Sequence, residues 1–150
     1  MTAGDDEPVC SIERTLQVVG ERWTPLILRE MFGGLHRFAD LRDSLGIAPN
    51  LLSTRLRTLV DAGIVEPRTY QEPGSRARES YHLTDSGRQL RLVLSALQQW
   101  GDEHRPRPAG PSAVRRSRST GRKVRVGFLD DTGREVALDD VSFLLPRAKS

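Results

Sequence analysis

Residues 38–83 read FADLRDSLGIAPNLLSTRLRTLVDAGIVEPRTYQEPGSRARESYHL, and the order of elements in this stretch decides the fold. Phe38 to Leu45 places Phe38, Leu41 and Leu45 at helical spacing, and Gly46 then lets the chain turn. Pro49 opens a second helix, because the N–H that proline lacks has no helical partner at the first position. On that helix Leu51, Leu52, Leu56, Leu59 and Val60 follow the i, i+1, i+5, i+8, i+9 spacing of one buried stripe. After Gly63, Ile64 to Arg68 and Ser80 to Leu83 have strand character. Between them Gln71, Pro73, Gly74 and Ser75 mark a hairpin whose tip carries Arg76 and Arg78. Helix, tight turn, helix and hairpin in this order outline a winged helix-turn-helix, an α+β fold.

The stripe opposite the leucines is Asn50, Ser53, Thr54, Arg57 and Asp61. Short hydrogen-bonding side chains and a fork-shaped cation reach base edges and phosphates when a helix lies in a major groove. Asn50, Ser53, Thr54 and Arg57 are therefore the expected base-reading set; outside this context the same residues would be an ordinary solvated face. Arg55 lies toward the flank of the buried stripe and is assigned a DNA-backbone contact at most. Arg76 and Arg78 suit a wing near a minor groove, where concentrated negative potential favours cations. Their alternative is a solvated loop.

Outward from this centre, Ser11 to Val19 reads as a short helix with Ile12, Leu16 and Val19 inward, stopped by Gly20. Thr24 and Pro25 read as the cap and first position of a core helix running to about Phe32, with Trp23 beneath it. Thr84 caps a fifth helix from about Asp85 to Gly101, in which Leu90, Val93, Leu94, Leu97 and Trp100 follow helical spacing. Arg105 to Gly121 is rich in Pro, Ser and Arg without an apolar period, the composition of a poorly ordered linker; the other reading of Arg105 to Lys123 is an arginine-rich arm that follows the DNA backbone. Lys123 to Leu129 and Arg134 to Leu138, joined through Asp131, Thr132 and Gly133, make a small C-terminal β-hairpin, and Val141 to Leu145 is a candidate third strand. The expected division is an N-terminal arm (1–10), a winged-helix domain for DNA binding and dimerisation (11–104), a linker (105–122) and a small β-rich extension (123–150).

At 150 residues with 37% hydrophobic content, the chain has room for one domain and an appendage. Its net charge of +3 is unevenly spread: −3 over residues 1–10, +2 over 11–100 and +4 over 101–150, a balance that suits a polyanionic partner. No run approaches the ~18 apolar residues of a membrane span, and the acidic start is unlike a signal peptide, so the reading is a cytoplasmic protein without a membrane partner. The single cysteine, Cys10, excludes an internal disulfide and leaves too few thiols for a cysteine zinc site. His36, His82 and His104 have no metal-ligand spacing, and no metal or cofactor is expected.

Cys10 stands with Glu13, Arg14 and Thr15; Gly20, Trp23, Ile27 and Leu28 follow. Then come Arg37, Phe38, Asp40 and Leu41, next Leu52, Arg55, Leu56, Leu59, Gly63 and Ile64, and last Tyr81, His82, Leu83, Thr84 and Gly87. In the joint order and spacing of these residues, from Cys10 to His104, the chain resembles the HxlR family of bacterial winged helix-turn-helix transcription regulators, relatives of the MarR type. The resemblance implies a homodimer built by the first and last helices of the domain. Two recognition helices would meet successive major grooves about 34 Å apart on an inverted-repeat operator. It also implies that Cys10 is a candidate sensor of an oxidant, an electrophile or another small-molecule effector; the other reading is a small apolar residue at a subunit interface. Trp23, Met31 and Trp100 read as core or dimer residues.

Three departures stand out. Ala48 replaces the family's usual serine before the proline, a cap worth about 1 kcal/mol. The wing from Gln71 to Ser80 is longer than the common form, and the tail past His104 lacks the metal-binding cysteines of some members. Two other function classes remain. A winged helix can act as a protein-interaction module that does not bind DNA. A thiol enzyme using Cys10 lacks any histidine or carboxylate constellation matched to it, so the chain is read as a non-enzyme.

Overall fold

The computed structural model describes residues 8–144. Two expectations lie partly outside them: the acidic N-terminal arm with Asp5, Asp6 and Glu7, and the extension past residue 144. Among the described residues there are five α-helices, α1 (Ser11–Val19), α2 (Trp23–Phe32), α3 (Phe38–Leu45), α4 (Pro49–Asp61) and α5 (Asp85–His104). The strands are β1 (Val65–Tyr70), β2 (Arg78–Leu83), β3 (Phe128–Leu129) and β4 (Glu135–Val136). This is the expected winged helix-turn-helix with a small C-terminal hairpin. Two compact units divide inside α5, between Leu94 and Ser95.

In the first unit α2, α3 and α4 surround a core in which Ile27, Leu28, Met31, Leu41, Leu52, Leu56 and Leu59 are fully buried. Each such side chain removed from water contributes about 1.5–3 kcal/mol, which makes this core the main determinant of the fold. Phe38, Leu45, Leu51 and Val60 pack half-buried against it, as the spacing predicts. Gly46 ends α3 in the left-handed conformation (φ 65°), and its N–H donates to the Arg42 carbonyl, so the tight turn needs glycine there.

β1 and β2 pair antiparallel from Val65↔Leu83 to Tyr70↔Arg78. The strands are longer than the sequence pattern predicts, and Arg78 is the first residue of β2, not a tip residue. A further pairing has no counterpart in the sequence pattern: Arg37 bridges Ser80, and the Tyr81 N–H donates to the His36 carbonyl at 2.8 Å. The segment entering α3 thus lies along the free edge of the wing. Thr84 caps α5 as expected, its hydroxyl accepting from the Gly87 N–H at 3.2 Å.

Three expectations are corrected. α2 starts at Trp23 with Arg22 in the cap position, so Thr24 is a buried first-turn residue and does not cap the helix. Its N–H is satisfied by the Glu21 carbonyl at 3.0 Å. Ile12 and Leu16 are not inward: they are 66% and 56% exposed, and α1 reaches the core through buried Val19 and partly buried Val18 at its C-terminal end. The short α1 has its apolar face pointed away from the rest of its own unit. α5 runs a turn further than predicted, to His104, with Leu92, Val93, Leu97 and Trp100 exposed.

In the second unit, the stretch read as a linker forms turns and a bridge between Arg116 and Lys123. Gln99 of α5 holds Val126 through two bonds of 2.9 Å, to its carbonyl and from its N–H, in the manner of a strand partner. The C-terminal strands are only two residues each, shorter than predicted, and are joined through Asp130, whose carboxylate accepts from the N–H groups of Thr132 and Arg134. Those bonds hold the Asp130 carboxyl below its ordinary pKa, the Thr132 hydroxyl contributing most. Val141 to Leu144 form no strand.

Candidate nucleic-acid interface

The leucines of α4 fix which way its other face points. With Leu52, Leu56 and Leu59 in the core, Asn50, Ser53, Thr54, Arg57 and Asp61 are all exposed, as the spacing predicts. Arg57 has no carboxylate partner among the described residues. The Thr54 hydroxyl donates to the Asn50 carbonyl at 3.0 Å, so it offers an acceptor outward unless it rotates. α4 opens with Ala48 extended (φ −61°, ψ 136°) and no side-chain cap.

Beside this face a groove of about 270 Å³ runs between α4 and the wing, lined by Ser53, Arg57 and Val60 on one side and Pro67, Glu79 and Tyr81 on the other. A second cleft of about 670 Å³ lies between α3 and the wing, where Arg42 faces Arg76, Arg78 and Tyr70. Arg76 and Arg78 are exposed and, among the described residues, unpaired with any carboxylate. Glu79 borders both spaces and receives the Tyr81 hydroxyl at 3.4 Å; burial, and then Glu79, raise the Tyr81 pKa. A helix-turn-helix with an open polar face and a cationic wing is an arrangement suited to a duplex groove.

The description HxlR-like helix-turn-helix fits residues 18–109, more than half of the chain. The chain belongs to the HxlR-like helix-turn-helix family. An uncharacterized HTH-type transcriptional regulator of Mycobacterium tuberculosis (strain H37Rv) is 46% identical over 111 residues, covering 74% of this chain and 69% of the relative. The crystal structure of PA1607, described as a candidate transcription factor, superposes with a TM-score of 0.79 at 34% identity, covering 92% of this chain and 96% of that one. That span necessarily reaches past His104, so the extension is not peculiar to this chain. The redox regulator HypR in its reduced form matches with a TM-score of 0.58 at 30% identity, over 64% of this chain and 94% of HypR.

Several contacts of this HxlR-type domain carry no local signal in the sequence. Arg37 donates to Glu72 at 2.6 Å while its guanidinium lies 4.5 Å from the Tyr70 ring centroid, which ties the entry to α3 to the base of the wing loop. The hydrogen bond to Glu72 is the chief reason that its pKa is raised. His36 and His82 stack with ring centroids 4.5 Å apart. His36 Nδ1 meets the Tyr81 carbonyl at 3.0 Å, and His82 Nε2 meets the Ser80 hydroxyl at 2.8 Å. Burial, then Arg68 and His36, lower the His82 pKa, while Glu66 opposes them. Arg68 in turn donates to Glu66 at 2.7 Å and holds that carboxyl below its usual range.

Arg55 is apart from the exposed stripe. Its side chain is 22% exposed, pairs with Glu21 at 3.3 Å, and keeps a buried Nε without a partner. Cys10 is exposed in the cap position of α1, where its side chain makes no capping bond. The Arg14 guanidinium is directed instead to the carbonyls of Pro8 and Val9 and the hydroxyl of Ser11. Among the described residues no group of three or more His, Cys, Asp or Glu forms a metal-binding cluster, and no helix is long and apolar enough to cross a membrane.

Proposed function

We propose that this chain is a sequence-specific DNA-binding transcription regulator that acts as a homodimer on an inverted-repeat operator. The observation that carries this reading is the face of α4, which exposes Asn50, Ser53, Thr54 and Arg57 next to a groove bordered by the wing. Arg57 reads a base edge, Asn50, Ser53 and Thr54 contribute hydrogen bonds, and Arg76 and Arg78 meet the minor-groove side. Arg55, engaged with Glu21, is limited to a backbone phosphate contact. The exposed apolar residues of α1 (Ile12, Leu16) and of α5 (Leu92, Val93, Leu97, Trp100) support dimerisation through these helices.

An oxidant response through Cys10 is the regulatory part of the proposal. Its support is the exposed thiol at the start of α1 together with the likeness to HypR, a redox regulator solved in reduced and oxidised forms. As the chain's one cysteine, Cys10 would form an intersubunit disulfide or a mixed disulfide with a small thiol.

Selection of bound genomic fragments at physiological salt, with reduced and oxidised protein, tests both parts. The expected product is a set of fragments sharing two half-sites about one helical turn apart. Arg57→Ala should weaken binding to them by about 1–3 kcal/mol and leave random DNA nearly unaffected. Enrichment of no fragment, in either redox state, refutes DNA recognition. An unchanged oxidant response in Cys10→Ser refutes the sensor.

A further inference from the structure

Residues 104–129 hold eight arginines and lysines and no aspartate or glutamate. A like-charged run of this kind ordinarily stays disordered because it repels itself. Here the middle of it is folded into a closed loop. Arg116 bridges Lys123; the Ser117 N–H donates to Arg122 at 2.9 Å, Gly121 to Ser117 at 2.8 Å, and Val124 to Arg115 at 3.0 Å. The root is anchored on α5, where Arg115 donates to Gln98 at 2.8 Å.

The cations of this loop divide into two groups. Arg115, Arg116 and Arg125 are engaged internally, with Gln98, the Gly121 carbonyl and Glu135 respectively. Arg118, Arg122 and Lys123 are exposed, and among the described residues their side chains meet neither a carboxylate nor a hydrogen-bond acceptor. Three uncompensated cations held on a closed loop beside the hydroxyls of Ser119 and Thr120 are a preorganised donor set for phosphate oxygens.

We propose that the 116–123 loop is a second nucleic-acid contact, a cationic finger that grips backbone phosphates of double-stranded DNA. The inference rests on the DNA-binding reading above and adds a surface outside the helix-turn-helix. Arginine forks, hydroxyls and a closely spaced positive charge match a sugar–phosphate backbone. The finger therefore raises affinity for every sequence alike, while α4 supplies discrimination.

The test compares full-length wild type, the triple variant Arg118→Ala/Arg122→Ala/Lys123→Ala, and Arg57→Ala. Binding is titrated against salt on a random-sequence duplex and on a selected genomic fragment. Each lost phosphate contact removes about 0.9 from the slope of log affinity against log salt, so the triple variant should flatten it by about 2–3 on both DNAs. The single charge reversal Arg118→Glu should flatten both slopes in the same direction, and equal melting temperatures exclude misfolding. Wild-type binding with unchanged slopes in both loop variants overturns the finger and leaves the DNA-binding reading intact, as does preferential loss on the selected fragment alone. Wild type that binds neither DNA at low salt overturns both, and binding to an acidic protein through the loop would then identify a different partner.

Discussion

Replacing Gly87 by alanine should loosen the wing at its base. A Cβ built on Gly87 would lie 2.1 Å from the Ile64 carbonyl oxygen and 3.2 Å from the Ile64 Cγ2. That oxygen is not free to retreat, because it accepts from the Thr84 N–H at 3.0 Å and the Thr84 hydroxyl at 3.1 Å. Relief requires α5 and the chain entering β1 to separate by about 1 Å, in an interior with almost no slack. Overpacking of this kind costs about 1–3 kcal/mol. A weakened bond on a buried carbonyl adds about 1 kcal/mol. Alanine returns up to about 1 kcal/mol of helix propensity. The net loss is about 1–3 kcal/mol, which for a unit of this size lowers the melting temperature by several degrees or more.

The assay is urea and thermal unfolding followed by circular dichroism, with Gly101→Ala as the internal control. Gly101 lies in the same helix, and a methyl group added there would have nothing within 4 Å, so its alanine variant should be as stable as wild type or gain up to about 1 kcal/mol. Because the strain enters at Ile64, just before β1, Gly87→Ala should also lose DNA affinity beyond its loss of folded protein. A Gly87→Ala chain as stable as Gly101→Ala would refute the close approach of α5 to the wing and the argument built on it.

Other substitutions separate the roles of neighbouring residues. Ala48→Ser supplies the missing acceptor at the start of α4, where the backbone is already extended, and should stabilise the protein by about 0.5–1 kcal/mol in urea unfolding. Arg55→Met keeps the apolar stem and removes the buried, unpartnered Nε, so it should change stability little and weaken DNA binding less than Arg57→Ala does; the reverse order would show that Arg55 is the base reader. For His82, folding holds the pKa below the ordinary ~6.5, so the unfolded chain binds the extra proton first. The stability that neutral His82 contributes is complete above about pH 6.5 and is lost as pH falls through its folded value; His82→Gln should flatten the stability profile below about pH 6.5. An identical slope in both proteins would mean that other groups set it.

The elements legible in the sequence are those whose cause is local. Phe38, Leu41 and Leu45, and then Leu52, Leu56 and Leu59, recur at helical spacing because each helix buries one stripe, and the exposed face of α4 was legible as its complement. Thr84 was legible as a cap, while Thr24 misled, because the same cap-then-proline pattern places a threonine inside a first turn when its own N–H is already satisfied by the Glu21 carbonyl. Ile12 and Leu16 were legible as apolar but not in their direction. Periodicity reports that a face avoids water, and it does not distinguish burial within a chain from burial against a second copy.

The contacts around the wing were not legible for a different reason. Arg37 meets Glu72, Arg55 meets Glu21, and His36 stacks on His82, each across a sequence separation that no spacing rule spans. The first and last depend on which strand edge is left open, and that edge is filled by the Arg37–Ser80 bridge, whereas Arg55–Glu21 joins α4 to the turn between α1 and α2. The consequence reaches the candidate site. Glu21 withdraws Arg55 and Glu72 engages Arg37, so of the cations near α4 and the wing it is Arg57, Arg76 and Arg78 that remain without a carboxylate among the described residues. An internal acid that neutralises one arginine leaves discrimination to its neighbour, because a charge already paired must give up that partner before it can gain from a phosphate or a base.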